Sequence, residues 1–236
     1  MDGKGILFGI GVGPGDPDLL TLKGLKALKE SEVVAYPALE AGDSLARSIV
    51  AEHIGAKHTE LAIRVPMSRD PKAASSAYDK GALAIAEHLE LGRNVALLCE
   101  GDPMFYGSFM YLHERLFEHF SVEIIPGVSS VMAAAARLNV PLVSRDDAFA
   151  ILPATLDESL LEQRLGACET AAILKVGRHL EKVRGVLRRL NKDDQSWYIE
   201  RATMAAEKII PLSEVSAEAV PYFSLILVGR KESLGR

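Results

Sequence analysis

Short apolar runs alternate with helix-type patterns in the first 125 residues, and this alternation limits the possible folds more than any other feature. The five apolar runs are residues 6–11, 33–36, 58–65, 95–99 and 122–125. Between them, apolar side chains recur at helical spacing over residues 21–31, 44–54, 72–91 and 106–118. Strands that alternate with helices form a mostly parallel sheet with right-handed crossovers. The sequence therefore predicts an N-terminal α/β lobe with a five-stranded sheet.

The pattern changes at residues 125–130, where Ile-Pro-Gly-Val-Ser-Ser ends a strand and leads into an alanine-rich helix. Beyond Pro141, five strand-like segments outnumber two clear helices. The strands are residues 149–152, 171–176, 196–200, 208–212 and 223–228, and the helices are residues 158–165 and 179–190. An excess of strands over crossovers indicates antiparallel pairing.

We therefore predict two α/β lobes that meet near Pro126, residues 1–126 with the mostly parallel sheet and residues 127–236 with a mixed sheet. A cleft between lobes is a favoured place for a small-molecule site.

Composition excludes several classes of protein. With 236 residues and 48% hydrophobic content, the chain is long enough to bury one large core or two smaller ones. Its apolar runs fall well short of the roughly 20 residues that cross a bilayer, and its two cysteines have neither a disulfide framework nor metal-ligand spacing. A net charge of -5 argues against nucleic acid as a partner. We expect a cytoplasmic protein with no membrane partner and no metal.

The loop after residues 95–99 is the first candidate for a ligand site. Gly101, Asp102 and Pro103 force the chain out of the sheet, because each favours a turn over a continued strand. In open α/β sheets, ligands bind beyond the carboxyl ends of strands, which is where Glu100 to Asp102 would lie. The alternative is an ordinary turn between a strand and a helix.

The glycine-rich loop at residues 11–16 does not fit a dinucleotide site. That fingerprint needs glycine at its first, third and sixth positions, but the sixth position is Pro14 when counted from Gly9 and Asp16 when counted from Gly11. Tyr36 stands near the end of the second strand, where an acidic residue would hold a ribose. No Gly-Lys-Ser or Gly-Lys-Thr follows the glycines, so a phosphate-binding loop is also disfavoured.

Four segments, in this order along the chain, resemble those of the tetrapyrrole methylases. They are Gly-Val-Gly-Pro-Gly-Asp-Pro-Asp-Leu-Leu-Thr at residues 11–21, Glu-Gly-Asp-Pro at 100–103, Ile-Pro-Gly-Val-Ser-Ser at 125–130, and the weaker pair at 176–177 and 200–203. The resemblance covers essentially the whole chain. It implies transfer of a methyl group from S-adenosylmethionine to a porphyrin-like ring, with S-adenosylhomocysteine as product, in a homodimeric enzyme.

Within that family, residues 33–37, 65–70 and 101–107 are most similar to the branch that methylates carbon 20 of precorrin-2 in vitamin B12 biosynthesis. The alternative within the family is the cobalt-loaded ring, cobalt-factor II, of the anaerobic route. Two other functions stay open: a methyltransferase of the same fold acting on RNA or protein, and a non-catalytic tetrapyrrole carrier.

The resemblance also implies which residues bind S-adenosylmethionine. They are Pro14, Glu100, Gly101, Asp102, Phe105, Ser129, Ser130, Val176 and Ala202. Glycines allow backbone groups to approach the ligand, and Asp102 or a nearby carbonyl can meet its cationic end. For Val176 and Ala202, the alternative is plain packing at a strand end.

The substrate's eight carboxylates suit arginine, which binds a carboxylate through two parallel hydrogen bonds. The candidates follow predicted strands, and they are Arg64, Arg69, Arg178 and Arg201. Each is alternatively a solvated surface charge. Tyr106 and Asp16 are candidate catalytic residues, Tyr106 to orient the ring or accept a proton and Asp16 to hold a pyrrole N–H. Their alternatives are a core aromatic and a turn cap.

Overall fold

The computed structural model describes residues 3–40, 42–66, 71–216 and 220–229. The chain forms two compact units, Met1–Ser129 and Ser130–Arg236. Each unit contains its own five-stranded sheet. Within the described residues, no helix combines the length and the apolar character needed to span a membrane.

The first unit is built on a parallel sheet. Its strands are β1 (Ile6–Gly11), β2 (Val33–Leu39), β3 (Thr59–Val65), β4 (Val95–Cys99) and β5 (Ser121–Ile125). Its helices are α1 (Leu22–Glu30), α2 (Leu45–Ile49), α3 (Pro71–Glu90) and α4 (Phe109–Leu116). The strand order is β3-β2-β4-β1-β5, and every neighbouring pair is parallel. The predicted five-stranded parallel sheet is confirmed.

The central strand β4 is buried along its whole length, as its unbroken apolar sequence indicates. Val95, Leu97 and Cys99 pack in a cluster with side chains of α3 and α4. Ala96 and Leu98 pack in a second cluster with side chains of α1 and α2. Helices therefore cover both faces of the sheet, and alternate residues of one strand serve two cores.

The predicted end of the second strand at Tyr36 is wrong, because β2 continues through Pro37 to Leu39. The strand pairs with β3 over its whole length but with β4 only from Val33 to Ala35. Beyond Ala35, the side of β2 that faces β4 has no partner strand among the described residues. A proline whose missing N–H lies on that side removes no ladder hydrogen bond.

Three predicted boundaries extend too far. The segment predicted as one helix over residues 44–54 contains the five-residue α2 and a separate 3₁₀ turn, Ala51–His53. The helix predicted from Tyr106 begins at Phe109, because Tyr106 has a left-handed backbone with φ of 56°. The strand predicted to reach Val176 ends at Leu174, where Lys175 turns left-handed with φ of 58°.

The second unit contains the mixed sheet. Its strands are β6 (Phe149–Pro153), β7 (Thr170–Leu174), β8 (Ser196–Glu200), β9 (Lys208–Pro211) and β10 (Ser224–Val228), and its helices are α5 (Ser130–Leu138), α6 (Glu158–Gly166) and α7 (Leu180–Arg189). The order is β6-β7-β10-β8-β9. Only β6 and β7 pair in parallel, and the other three pairs are antiparallel. The predicted mixed sheet is confirmed.

Candidate functional site

The adjacent strands β1 and β4 form a topological switch point of the first sheet. From β1 the chain passes beyond β4 to reach β2, and from β4 it passes beyond β1 to reach β5. The helices on these two connections, α1 and α4, lie on opposite faces of the sheet. In open α/β sheets, ligands bind in the crevice at such a point, outside the carboxyl ends of the strands. The loops at residues 12–16 and 100–107 begin there.

The two loops are joined to each other through their backbones. Gly13 and Gly101 form an isolated antiparallel bridge in which the Gly101 amide donates to the Gly13 carbonyl at 2.8 Å and the Gly13 amide donates back at 3.3 Å. Gly101 has a left-handed φ of 65°, a conformation that glycine adopts without steric cost. The segments that the sequence identified as separate candidates therefore form one structure.

Gly127, which follows β5, packs directly against this bridge. A Cβ added to Gly127 would lie 2.0 Å from the Gly101 carbonyl oxygen, and one added to Gly11 would lie 2.5 Å from the Gly127 nitrogen. Three chain segments thus approach one another at a distance that only glycine permits.

The Asp102 side chain ties two of these segments together, the loop after β4 and the segment after β5. Its Oδ1 accepts a hydrogen bond from the Met104 amide at 2.9 Å, and its Oδ2 accepts one from the Gly127 amide at 3.0 Å. Both oxygens therefore hold backbone groups of the loops. This function of Asp102 is additional to the contact with the methionine end that the resemblance implies.

Glu100 and Cys99 lie next to the bridge, and burial affects the side chains of both. The Glu100 Oε1 accepts a hydrogen bond from the Ala46 amide at 3.2 Å, and burial raises the pKa of its carboxyl group. Burial also raises the pKa of the Cys99 thiol to about 12. A thiol with that pKa is almost fully protonated at neutral pH, so Cys99 is a packing residue and not a nucleophile.

The remaining first-unit candidates lie along the same loops. Pro14 directly follows the bridge, and the Asp16 Oδ1 accepts a hydrogen bond from the Asp18 amide at 2.9 Å, which caps a short 3₁₀ turn. The Phe105 and Tyr106 rings meet edge to face with centroids 5.1 Å apart, and Tyr106 is 45% exposed. The alternative interpretation of Tyr106 as a core aromatic is therefore wrong, because nearly half of its surface is open to solvent.

The last three candidates of the first unit are Arg64, Arg69 and Ser129. Arg64 donates through Nη1 to the carbonyls of Leu39 and Gly42, both at 2.8 Å, and so holds the chain after β2. Arg69 lies outside the described residues. Ser129 lies close to the bridge, since its Cα is 3.9 Å from the position of a Cβ built on Gly101.

The second unit brings its candidates to one edge of its sheet. Because β7 and β8 are both antiparallel to β10, they run in the same direction and their carboxyl ends lie on either side of the start of β10. Val176 and Ala202 follow these two ends and are buried. Arg178 is exposed beside Val176, and Ser130 begins α5.

Two polar side chains, the buried Tyr198 and the partly buried Glu200, support Arg201 at this edge. The Arg201 Nη1 donates to the Glu200 Oε1 at 2.7 Å, and the Tyr198 hydroxyl donates to the Glu200 Oε2 at 2.9 Å. Sequence reasoning identified Arg201 but missed Tyr198 and Glu200 as its partners. Their spacing of two along a strand, which places both side chains on one face, is the signal that would have found them.

An open parallel sheet whose glycine loops converge at its switch point defines an α/β protein of the class that binds a small ligand at the carboxyl edge of its strands. The model of one family, Tetrapyrrole (Corrin/Porphyrin) Methylases, matches residues 7–216. The chain belongs to this family.

Relatives cover nearly the whole chain. It is 41% identical to a precorrin-2 C(20)-methyltransferase of a Sinorhizobium species, over 96% of both proteins. It is 30% identical to the cobalt-precorrin-2 C(20)-methyltransferase of Salmonella typhimurium, over 98% of both. It is 39% identical to the cobalamin biosynthesis protein CobIJ of Mycobacterium tuberculosis over 99% of this chain, which spans about half (48%) of that longer protein.

Solved structures of the same family have a similar fold. A cobalt precorrin-4 methyltransferase, CbiF, superposes with a TM-score of 0.77 at 25% identity, covering 98% of this chain and 96% of the other. The uroporphyrin-III C-methyltransferase of Thermus thermophilus, crystallised with S-adenosylhomocysteine, has a TM-score of 0.69 at 25% identity, covering 95% and 97%.

Proposed function

We propose that the protein transfers a methyl group from S-adenosylmethionine to carbon 20 of precorrin-2, giving precorrin-3A in cobalamin biosynthesis. The similarity to the Sinorhizobium precorrin-2 C(20)-methyltransferase, 41% identical over 96% of both proteins, carries this proposal. The convergence of the Gly11, Gly101 and Gly127 segments at the switch point of the first sheet supports a ligand site in the first unit.

The first unit fits the methyl donor in chemical terms. The loops after β1, β4 and β5 pack on one another through glycine backbones, and a Cβ built on Gly101 meets nothing nearer than 3.9 Å, so the backbone there leaves room for a ligand. In this proposal Pro14, Gly101 and Phe105 contact the donor, while Glu100 supplies a carboxyl group and Asp102 fixes the loop. From the second unit, Ser130, Val176 and Ala202 contribute small side chains.

Ring methylation needs alignment more than a strong base. A meso carbon of a reduced tetrapyrrole is enamine-like and already nucleophilic, and S-adenosylmethionine supplies an electrophilic methyl group. Holding two reactants in near-attack geometry can lower a barrier by about 7–11 kcal/mol. The chain's residues are therefore proposed to bind, orient and exclude water, with Tyr106 and Asp16 nearest to the ring. Arg64, Arg69, Arg178 and Arg201 are proposed to bind its carboxylates.

The test is incubation of the purified protein with S-adenosylmethionine and precorrin-2, followed by absorption spectroscopy and mass measurement. We expect a spectral change and the gain of one methyl group. Binding of the ring without methyl gain would instead support a tetrapyrrole carrier. Failure to bind the ring at all would redirect the search to RNA or protein substrates.

The cobalt-loaded ring is the second candidate substrate. The similarity to the Salmonella cobalt-precorrin-2 C(20)-methyltransferase favours it, at 30% identity over 98% of both proteins. Steady-state kinetics on metal-free and cobalt-loaded rings would separate the two, and we expect the higher kcat/KM for the metal-free ring because the Sinorhizobium relative is the more similar.

We also infer a homodimer in the cytoplasm. The family resemblance supports the dimer, and the two free cysteines, Cys99 and Cys168, support a reducing compartment. Light scattering should give about twice the chain mass of 25.5 kDa. A monomer mass would contradict this part of the proposal.

A further inference from the structure

We propose that Tyr198 and Glu200 are positioning residues that orient the Arg201 guanidinium toward a carboxylate of the tetrapyrrole. The inference rests on the proposed function, because it assumes an acidic ring as ligand. It adds two residues, Tyr198 and Glu200, that affect ring binding only by positioning Arg201.

The geometry of the three side chains is that of a supported donor. Tyr198 is buried, and its hydroxyl donates to the Glu200 Oε2 at 2.9 Å, while the other carboxylate oxygen accepts from the Arg201 Nη1 at 2.7 Å. The Glu200 side chain is 14% exposed and that of Arg201 is 40% exposed. The chain of hydrogen bonds therefore runs from the core outward and ends at a partly exposed cation.

The backbone of Arg201 is also held in place. Its φ of 49° is left-handed, which is uncommon for a residue with a Cβ, and its amide donates to the Phe223 carbonyl at 2.8 Å. Thr203, two residues further on, is also left-handed with φ of 68°. Unfavourable backbone conformations of this kind persist where the surroundings impose them, and they concentrate at functional sites.

Arg201 keeps donors for a ligand. A guanidinium has five N–H groups in a fixed plane, and among the described residues Arg201 donates one of them, at Nη1, to Glu200. The planar group forms its best contact with a carboxylate through two parallel N–H bonds. An arginine already held in one orientation loses less conformational freedom when the ligand binds. Burial raises the pKa of the Tyr198 hydroxyl, so it stays protonated and continues to donate to Glu200.

The experiment compares Glu200→Gln and Tyr198→Phe with the wild type in steady-state methyl transfer. We expect Glu200→Gln to raise the KM for the ring about tenfold, equivalent to about 1.4 kcal/mol. The KM for S-adenosylmethionine should stay within about twofold, and Tyr198→Phe should show a smaller change in the same direction. The matched control is Glu162→Gln, which removes a carboxylate from the surface Arg189 pair, and should change neither KM.

A double-mutant cycle separates positioning from general loss of structure. If Glu200 acts through Arg201, the double variant Glu200→Gln with Arg201→Gln should bind the ring no more weakly than Arg201→Gln alone. Additive losses, or an equal rise of both KM values in Glu200→Gln, would overturn the inference. Thermal unfolding of each variant identifies any that fail to fold. If Glu200→Gln is among them, Tyr198→Phe, which keeps the aromatic side chain, provides a second test.

A stable probe keeps this result independent of catalysis. Uroporphyrin III carries eight carboxylates, and its binding is measurable by fluorescence without methyl transfer. If the wild type binds uroporphyrin III but does not methylate precorrin-2, the proposed function fails while the inference stands on the affinities of the variants. Equal uroporphyrin III affinity in wild type and Glu200→Gln would overturn the inference even in an active enzyme.

Discussion

Asp102 accepts hydrogen bonds from the Met104 and Gly127 amides, one on each carboxylate oxygen. A carboxylate used in this way shapes the loop that a ligand would meet, whether or not it meets the ligand itself. Its two functions differ in what they require of the ligand. Pairing with a cation requires the ammonium or sulfonium group, whereas loop shape affects every ligand that contacts the backbone.

Asp102→Ala should weaken binding of S-adenosylmethionine at least tenfold, about 1.4 kcal/mol, because two loop amides lose their acceptors. Calorimetry with S-adenosylmethionine, S-adenosylhomocysteine and 5′-methylthioadenosine is the measurement. The last compound lacks the amino acid part, and we expect it to lose affinity as well. A loss confined to ligands with the ammonium group would indicate direct pairing instead, and unchanged affinity for all three would contradict the site.

Gly127→Ala should destabilise the protein by at least about 2 kcal/mol, because its Cβ would lie 2.0 Å from the Gly101 carbonyl oxygen. Chemical denaturation provides the measurement. The matched control is Gly55→Ala, where a Cβ meets no atom of the described residues within 4 Å. That control should be neutral or stabilising by up to about 1 kcal/mol. Equal stability of the two variants would contradict the close approach of the three segments.

At the scale of elements, the second unit relies on an ion pair between a helix and a loop. Arg137 of α5 donates through Nε and Nη2 to Glu207, at 2.8 Å each, and the Thr203 amide donates to the same carboxylate at 2.6 Å. Glu207 is 12% exposed and lies just before β9. Burial would raise the pKa of its carboxyl group, but the Arg137 and Thr203 hydrogen bonds outweigh burial and lower it.

Glu207→Gln should therefore cost about 1–2 kcal/mol of stability at neutral pH. A carboxyl group whose pKa is depressed by folding stabilises the folded state above its unfolded pKa of about 4.3, and that contribution is lost as the pH falls through the folded value. Denaturation from pH 7 downward should show the wild-type advantage shrinking below about pH 4. An advantage that stays constant into acid would contradict the role of the charged carboxylate.

Elements with unbroken patterns were predictable from the sequence, in the case of β1 and β4 with both ends, while the ends of other elements were not. The apolar run of β4 and the long stripe of α3 gave the correct elements because burial sets both patterns. The end of β2 depends on β3, which pairs with it through Leu39, and the start of α4 depends on the left-handed backbone of Tyr106. Both are tertiary effects, which local sequence does not contain.

The turns of the candidate site were predictable from local sequence, and the contacts between them were not. Pro14, Gly101 and Asp102 lie in segments whose glycines and prolines exclude regular structure, so a turn at a strand end was evident. That these turns are hydrogen-bonded to one another depends on strand order, which places β1 beside β4. The spacing of two places Tyr198 and Glu200 on one face of the predicted strand 196–200, but the sequence does not say which face is buried.

On the scale of the whole molecule, binding of the methyl donor or its product should raise stability by mass action. A ligand at 100 times its Kd, with no affinity for the unfolded chain, stabilises by about 2.7 kcal/mol. We expect thermal unfolding to shift upward with S-adenosylhomocysteine and to stay unchanged with NADH, whose fingerprint the glycine loop lacks. A shift with NADH alone would contradict both the family function and the reading of residues 11–16.

The backbone bridge between Gly13 and Gly101, with Gly127 packed against it, also governs how this chain can be recombined with its relatives. A chimera whose crossover falls between residues 13 and 127 combines loops from two parents at contacts with no side chain to adjust. A crossover after residue 127 takes all three glycine segments from one parent. Swaps designed to test the proposed choice of ring position should therefore place their junctions beyond that glycine.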